Sequence, residues 1–137
     1  MTASDTFKLF ILRHGQSELN HENIFCGWID AKLTEKGKAQ ARNAAQLIKE
    51  YARSNASPIP QIAYTSRLAR TKQTTEVMLQ EFGLVGDYHV VTGCSDIPAL
   101  TRPTASRHVP VLQTWRLNER HYGSWQGQRK PNVLKEY

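Results

Sequence analysis

Cysteine is scarce: the 137-residue chain holds two, Cys26 and Cys94. Two thiols make no disulfide framework in a chain this long, which favours a reducing compartment, and a cytoplasmic location is expected. Long apolar runs are missing as well. No stretch approaches the roughly 20 residues needed to cross a bilayer, and the longest, residues 7–12, is broken by Lys8. That run also lacks the basic start, long apolar centre and small-residue cleavage site of a secretory signal, so neither a membrane span nor export is expected. Metal-ligand spacing is absent too. There is no CxxC pair, and His21, His89, His108 and His121 form no HExxH pattern, so no metal is expected. Internal repeats are lacking.

Acidic residues run short toward the end. Residues 101–137 hold seven Lys or Arg against two Asp or Glu, which puts a surplus of five there out of the net charge of +6. A basic surface attracts any anion, whether nucleic acid, membrane surface or small phosphorylated molecule. Aromatic and basic residues are not interleaved as in a nucleic-acid-binding module, so a small phosphorylated substrate is the expected partner, with no nucleic acid and no membrane. With 39% hydrophobic and 22% charged residues, the composition is that of a globular chain. Its length suits one domain over residues 1–137.

Local patterns then set the expected elements. Phe7, Leu9, Phe10, Ile11 and Leu12 make a nearly continuous apolar run, which reads as a first strand buried on both faces of a parallel sheet. It leads straight into Arg13-His14-Gly15-Gln16-Ser17, at the strand end where α/β sheets gather ligands. Thr34 can cap a helix over about 34–53, with Ala41, Ala44, Ala45, Ile48 and Ala52 on its apolar side. The turn-rich residues 54–60 break the chain before a second strand at 61–65. A helix is expected over 68–82, ending before Gly83. From 83 to 110 the pattern reads as an irregular insert, apart from a short strand at 89–92. A further strand is expected over 109–117, delivering Asn118-Glu119-Arg120-His121-Tyr122-Gly123 to its end. Core packing is the expected duty of Trp28, Trp115 and Trp125, with lining a site as the alternative.

A histidine taken alone is more often a core or surface residue than a reactive one. His14 has a different setting, next to Arg13 and Gly15 just beyond an apolar run. A neutral imidazole whose other nitrogen is held by a hydrogen bond is a competent nucleophile toward phosphorus. Arg13 offers a planar fork for phosphoryl oxygens, Gly15 permits close backbone approach, and Asn20 adds a neutral donor. Phosphoryl transfer needs mainly positioning and charge neutralisation, which such a cluster supplies.

The stretch Leu12-Arg13-His14-Gly15-Gln16-Ser17-Glu18-Leu19-Asn20 resembles the signature of the histidine phosphatase superfamily, whose first histidine becomes phosphorylated. Phe25-Cys26-Gly27-Trp28, Leu33-Thr34-Glu35-Lys36-Gly37, Tyr64-Thr65-Ser66 and the run from Trp115 through Gly127 resemble its cofactor-dependent phosphoglycerate mutase branch, with the long insert and the Gln126-Gly127-Gln128-Arg129-Lys130 ending similar to divergent fungal members. The resemblance implies a three-layer α/β sandwich with a mostly parallel sheet, of which this chain is an N-terminal portion. It implies interconversion of 3-phosphoglycerate and 2-phosphoglycerate in glycolysis and gluconeogenesis, with 2,3-bisphosphoglycerate as the cofactor that primes His14. By the same resemblance Glu119 is the proton donor and acceptor. Arg13, Asn20, Cys26, Gly27, Arg70, Tyr122 and Lys130 contact substrate, and a homo-oligomer is allowed.

Several positions depart from the family pattern. Cys26 stands where a phosphate-contacting threonine is expected, exchanging a strong hydroxyl donor for a weak thiol. Thr71 replaces an alanine, Asn132 replaces an acid, and Pro131 can begin a helix but not continue one. The second histidine and the paired arginines that the family carries downstream do not occur, so the domain is expected to be C-terminally incomplete. Two other readings therefore stand beside the mutase: a phosphatase acting on small phosphate esters, and a truncated, inactive relative that binds an anionic metabolite. Glu119 and Arg120 have an alternative as well, a surface ion pair of small energetic weight.

Overall fold

The computed structural model describes residues 7–93 and 107–136. Its helical part is built around α2 (Glu35–Ser54), which follows the short α1 (Glu18–His21). Thr34 caps α2 by accepting a hydrogen bond from the Gly37 amide, and Glu35 sits in the first turn, where the helix dipole favours an anion. The buried stripe of Gly37, Ala41, Ala45, Ile48 and Ala52 faces α3 (Ala69–Glu81). Ala41, Ala45 and Ile48 form one cluster with Met78, against which Phe10, Val77 and Phe82 pack. Small alanines on α2 let the two helix backbones approach, which is why so thin an apolar stripe on α3 suffices.

The sheet has three strands, β1 (Ala63–Thr65), β2 (Val85–Val90) and β3 (His108–Gln113), in the order β1-β3-β2. Both pairings are parallel: Ala63 lies opposite Val111, and Val85 opposite His108. The central strand β3 is the most buried, with Val109 and Val111 fully enclosed and Leu112 nearly so. Leu79 of α3 closes over Val109 and Val111, with Ala63, Phe82 and Leu84 at the margin. This is an α/β fold with a parallel sheet, as the sequence implies.

Three local expectations are corrected. Residues 7–12 form no strand: among the described residues they have no ladder partner. Phe7, Leu9 and Ile11 are exposed, while Phe10 lies edge-on to Tyr51 at 5.7 Å and Lys8 donates to the Tyr51 hydroxyl at 3.3 Å. An apolar, β-prone composition makes a segment extended, but a strand exists only where a neighbouring chain supplies its hydrogen bonds.

Next, the stretch 83–110 is not uniformly irregular. β2 begins at Val85 and pairs along its six residues with β3, overlapping the expected strand at 89–92 only at its end. Gly86 and Asp87 are poor strand formers and masked it. Gly86 is nonetheless what the packing wants, since a Cβ there would crowd Tyr88, Val111 and Leu79. The remainder of that insert, residues 94–106 with Cys94, lies outside the described residues.

Lastly, the strand expected over 109–117 ends at Gln113, and Trp115–Leu117 turns into a 3-10 helix. A second 3-10 turn, Gly123–Trp125, precedes α4 (Lys130–Glu136), which carries Pro131 in its first turn, where no intrahelical N–H is needed.

Candidate active site

The His14 loop is clamped between the two main helices. Its Gly15 amide donates to Thr74 Oγ1 of α3 at 3.2 Å, and that hydroxyl donates in turn to the Arg70 carbonyl at 2.8 Å. On the α2 side, Gln16 N donates to Gln40 Oε1 at 2.8 Å and Thr34 N to the Gln16 carbonyl at 3.0 Å. Ser17 is fully buried. It caps α1 through a reciprocal pair, accepting from Asn20 N and donating its own amide to Asn20 Oδ1. With that oxygen engaged, what Asn20 can offer an anion is its Nδ2 amide.

His14 Nδ1 lies 2.7 Å from the Gly15 carbonyl oxygen. A carbonyl can only accept, so Nδ1 carries the proton and Nε2 keeps the lone pair. The pKa of His14 is lowered from 6.5, first because burial disfavours the imidazolium and then because Arg70 and Arg13 repel it; the Gly15 carbonyl and Glu119 act in the opposite direction. Above 6.5 the ring is therefore neutral, with a nucleophilic Nε2.

Arg70 is almost completely buried. One terminal nitrogen of its guanidinium donates to Cys26 Sγ at 3.1 Å and to the Ile29 carbonyl at 3.0 Å, the other to the Gly27 carbonyl at 2.7 Å. It is thus first an anchor for the turn at Cys26 and Gly27. Its charge reaches His14 all the same. Cys26 donates its thiol to Ile29 O at 3.1 Å, so the sulfur is engaged on both sides.

The α3 helix that carries Arg70 has no side-chain cap from its own N-cap residue, Leu68. Asp30, a distant residue, takes that place by accepting from Ala69 N at 2.6 Å. Nearby, Arg67 N donates to Asn118 Oδ1 at 3.1 Å, which ties the start of α3 to the loop bearing Glu119.

Glu119 is held from behind. Trp28 Nε1 donates to its backbone carbonyl at 2.6 Å, and Arg120 N donates to its carboxylate at 3.0 Å. The Arg120 side chain lies 3.7 Å from the same carboxylate with 77% of it exposed, so the surface ion pair is present. It is worth little energetically, and it does not remove Glu119 from the recess that His14 lines. Tyr122 packs at a tilt against Phe25 with ring centres 5.0 Å apart, and Lys130 lies 5.5 Å from the same Phe25 ring.

All nine residues singled out from the sequence, His14, Glu119, Arg13, Asn20, Cys26, Gly27, Arg70, Tyr122 and Lys130, line one recess of about 40 Å³. It adjoins an open cleft of about 540 Å³ that shares Arg13, His14, Asn20 and Lys130, a volume in the range of small-molecule sites. Three cationic side chains, Arg13, Arg70 and Lys130, beside one neutral imidazole suit a phosphorylated anion. Among the described residues, no group of three His, Cys, Asp or Glu could hold a metal ion.

The tryptophans correct the expectation of core packing, because Trp28, Trp115 and Trp125 all keep a third or more of their surface exposed. Trp28 serves the site instead. Thr74, Asp30 and Gln126 are structural partners of the site that the sequence reading missed. Each acts through one hydrogen bond to a residue far along the chain, which leaves no local pattern to detect.

Residues 9–92 match the histidine phosphatase superfamily (branch 1), and the chain belongs to that family. Within it, the chain is similar to phosphoglycerate mutase 3 of Saccharomyces cerevisiae, 64% identical over 138 aligned positions that cover all of this chain and 46% of the relative. Phosphoglycerate mutase 2 of the same yeast is 61% identical, covering 99% and 45%. The 2,3-bisphosphoglycerate-dependent phosphoglycerate mutase of Tropheryma whipplei is 38% identical, covering 94% and 46%. The chain thus spans under half the length of these curated relatives. Among solved structures, a mycobacterial glucosyl-3-phosphoglycerate phosphatase complexed with VO3 superposes with a TM-score of 0.60 at 25% identity, over 90% of this chain and 45% of that one. Mycobacterial hydrolase 1, at 24% identity and a TM-score of 0.61, covering 90% and 43%, shares the fold.

Proposed function

We propose that this chain carries the phosphohistidine half of a phosphoglycerate mutase reaction, in which phospho-His14 interconverts 3-phosphoglycerate and 2-phosphoglycerate. The observation that carries the reading is the convergence of a neutral, Nδ1-protonated His14 with Glu119 and three cations on one recess. The P–O bond of 2,3-bisphosphoglycerate breaks as His14 Nε2 forms a P–N bond, and the glycerate oxygen takes a proton from Glu119. From phospho-His14, the free 2-hydroxyl of 3-phosphoglycerate gives its proton to Glu119 as its oxygen takes the phosphoryl group and the P–N bond breaks. The 2,3-bisphosphoglycerate so formed then gives its 3-phosphoryl group to His14 Nε2, its O3 takes the proton back from Glu119, and 2-phosphoglycerate leaves. Arg13 and Lys130 neutralise the oxygens of the moving group, Asn20 contributes its amide, Arg70 adds fixed charge from below, and Tyr122 and the Cys26–Gly27 turn border the carboxylate end.

Residues 1–137 act in this reading as a single domain with an insert at about 83–110, part of a cytoplasmic glycolytic enzyme that is a homo-oligomer when whole. Incubation with 2,3-bisphosphoglycerate is expected to give an acid-labile phosphate on the chain, absent in His14→Ala. No label, where phosphoglycerate mutase 3 of yeast is labelled under the same conditions, would overturn the reading.

One observation favours a second reading, a phosphatase: the cleft beside His14 is open, so water can reach a phosphorylated ring. Release of inorganic phosphate from several unrelated esters without mutase turnover would select it. A truncated relative that binds the anion without turnover is the remaining outcome, and it would bind 2,3-bisphosphoglycerate yet leave His14 unlabelled.

A further inference from the structure

The last turn of the chain before α4 is latched to the segment around Cys26. Phe25 N donates to the Gln128 carbonyl at 3.0 Å, Gly127 N to the Phe25 carbonyl at 2.9 Å, and Lys130 N to the Asn23 carbonyl at 3.0 Å. Within this latch one side chain crosses over. Gln126 Oε1 accepts from Trp28 N at 2.9 Å and lies 3.5 Å from Tyr122 N. Gly27 has φ +55, and a Cβ on it would collide with the Gln126 side chain, so the amide sits flush against the turn that Arg70 grips from the other side. Trp28 then completes a loop back to the Glu119 carbonyl through its indole N–H at 2.6 Å, with its ring edge-on to His121 at 5.7 Å.

We propose that Gln126 is a positioning residue, which pins the turn at Gly27 and Trp28 to Tyr122 and, through the Trp28 indole, sets where Glu119 stands relative to His14. A side-chain oxygen accepting from one loop and bordering the other fixes both at once, where the Cys26–Trp28 turn contains no helix or strand and the Tyr122 loop only the single 3-10 turn Gly123–Trp125. Nothing but that oxygen is required, so an isosteric acceptor should serve and an isosteric non-acceptor should not. The inference deepens the proposed phosphoryl transfer by naming what aligns its proton donor.

The test reads the His14 ring itself, by nitrogen NMR titration of the whole chain labelled in histidine, and needs no phosphoryl donor. Arg13 and Arg70 push the His14 titration down and Glu119 pulls it up, with Lys130 on the same recess. Removing the Glu119 charge in Glu119→Gln should therefore lower the midpoint, and Gln126→Met should shift it in the same direction. Gln126→Glu, which keeps the acceptor oxygen, should leave it at or above the parent value. The double variant Glu119→Gln with Gln126→Met should titrate like Glu119→Gln alone. Trp28→Phe, which keeps a ring but loses the indole donor, should reproduce the Gln126→Met shift and decides the matter if Gln126→Met does not fold.

A parent-like titration in Gln126→Met or in Trp28→Phe would overturn the proposal, as would a further fall on adding Gln126→Met to Glu119→Gln. Absence of labelling by 2,3-bisphosphoglycerate, with these shifts intact, would count against the mutase reading and leave the role of Gln126 standing.

Discussion

Gly15 and Gly37 meet backbone to backbone, and neither has room for a side chain: a Cβ on Gly15 would fall inside the Gly37 carbonyl, and one on Gly37 inside the Gln16 carbonyl. The first turn of α2 is therefore the floor on which the His14 loop rests. Gly37→Ala must push floor and loop apart, since the obstructing atoms are backbone on both sides. Such overpacking typically costs about 1–3 kcal/mol, and a displacement of about 1 Å at a reacting group can cost about 100-fold in rate. The expected outcome is a lowered melting temperature together with a loss of His14 labelling of that order. Labelling at the parent rate would show that the loop does not depend on this contact.

His14 titrates below its ordinary 6.5, and the sign of the consequence follows from linkage. The unfolded chain takes up a proton near 6.5 that the folded chain refuses, so the contribution to stability is whole above 6.5 and is lost as pH falls from there toward the folded value. For the chemistry, the neutral Nε2 persists below 6.5. The rate of phosphorylation should therefore stay level as pH falls from neutral through 6.5 and decline only at lower pH. A half-maximal rate at or above 6.5 would mean that the ring is more hydrated, or closer to Glu119, than described.

Local sequence revealed what local physics determines. Helix α2 was readable because Thr34 supplies a cap and the alanines recur at the helical period. Strand β2 was not, because Gly86 and Asp87 obscure a strand that its pairing with β3 creates. Residues 7–12 show the converse: their composition was legible, but pairing is a property of two segments, and no partner stands beside them among the described residues. The nine site residues were reached through motifs. The bond from Gly15 to Thr74 spans 59 positions and the one from Trp28 to Gln126 spans 98, separations at which no spacing rule applies.

Arg70 and Arg13 flank the same imidazole but have opposite surroundings. The Arg70 guanidinium is buried and satisfies the Gly27 and Ile29 carbonyls together with Cys26 Sγ, whereas Arg13 is exposed on the recess. An ammonium cannot span three fixed acceptors as a planar fork does. Arg70→Lys should therefore lower unfolding free energy by about 1–3 kcal/mol as well as reduce labelling. Arg13→Lys should leave stability within about 0.5 kcal/mol and weaken only phosphate capture. Urea unfolding of the two variants separates these cases, and equal stability losses would mean that Arg70 is not the anchor its contacts describe.

Asp30 provides the last test, because it caps α3 from outside that helix. Its carboxylate accepts from Ala69 N at 2.6 Å at a helix terminus whose own N-cap residue, Leu68, offers no side-chain acceptor. Two contributions are combined there: a hydrogen bond to an amide otherwise left without a partner, and the attraction of an anion to the positive end of the helix. Asp30→Ala removes both and should cost about 1 kcal/mol. Asp30→Asn keeps the acceptor and gives up the charge, so it should cost only about 0.3–1 kcal/mol. That smaller cost should shrink as salt is raised, since Asp30 is exposed and salt screens exposed charges, while the hydrogen-bond share of the Asp30→Ala loss should persist. Denaturant unfolding of both variants at low and high salt distinguishes the contributions, and a loss in Asp30→Ala that vanishes entirely with salt would mean the cap acts by charge alone.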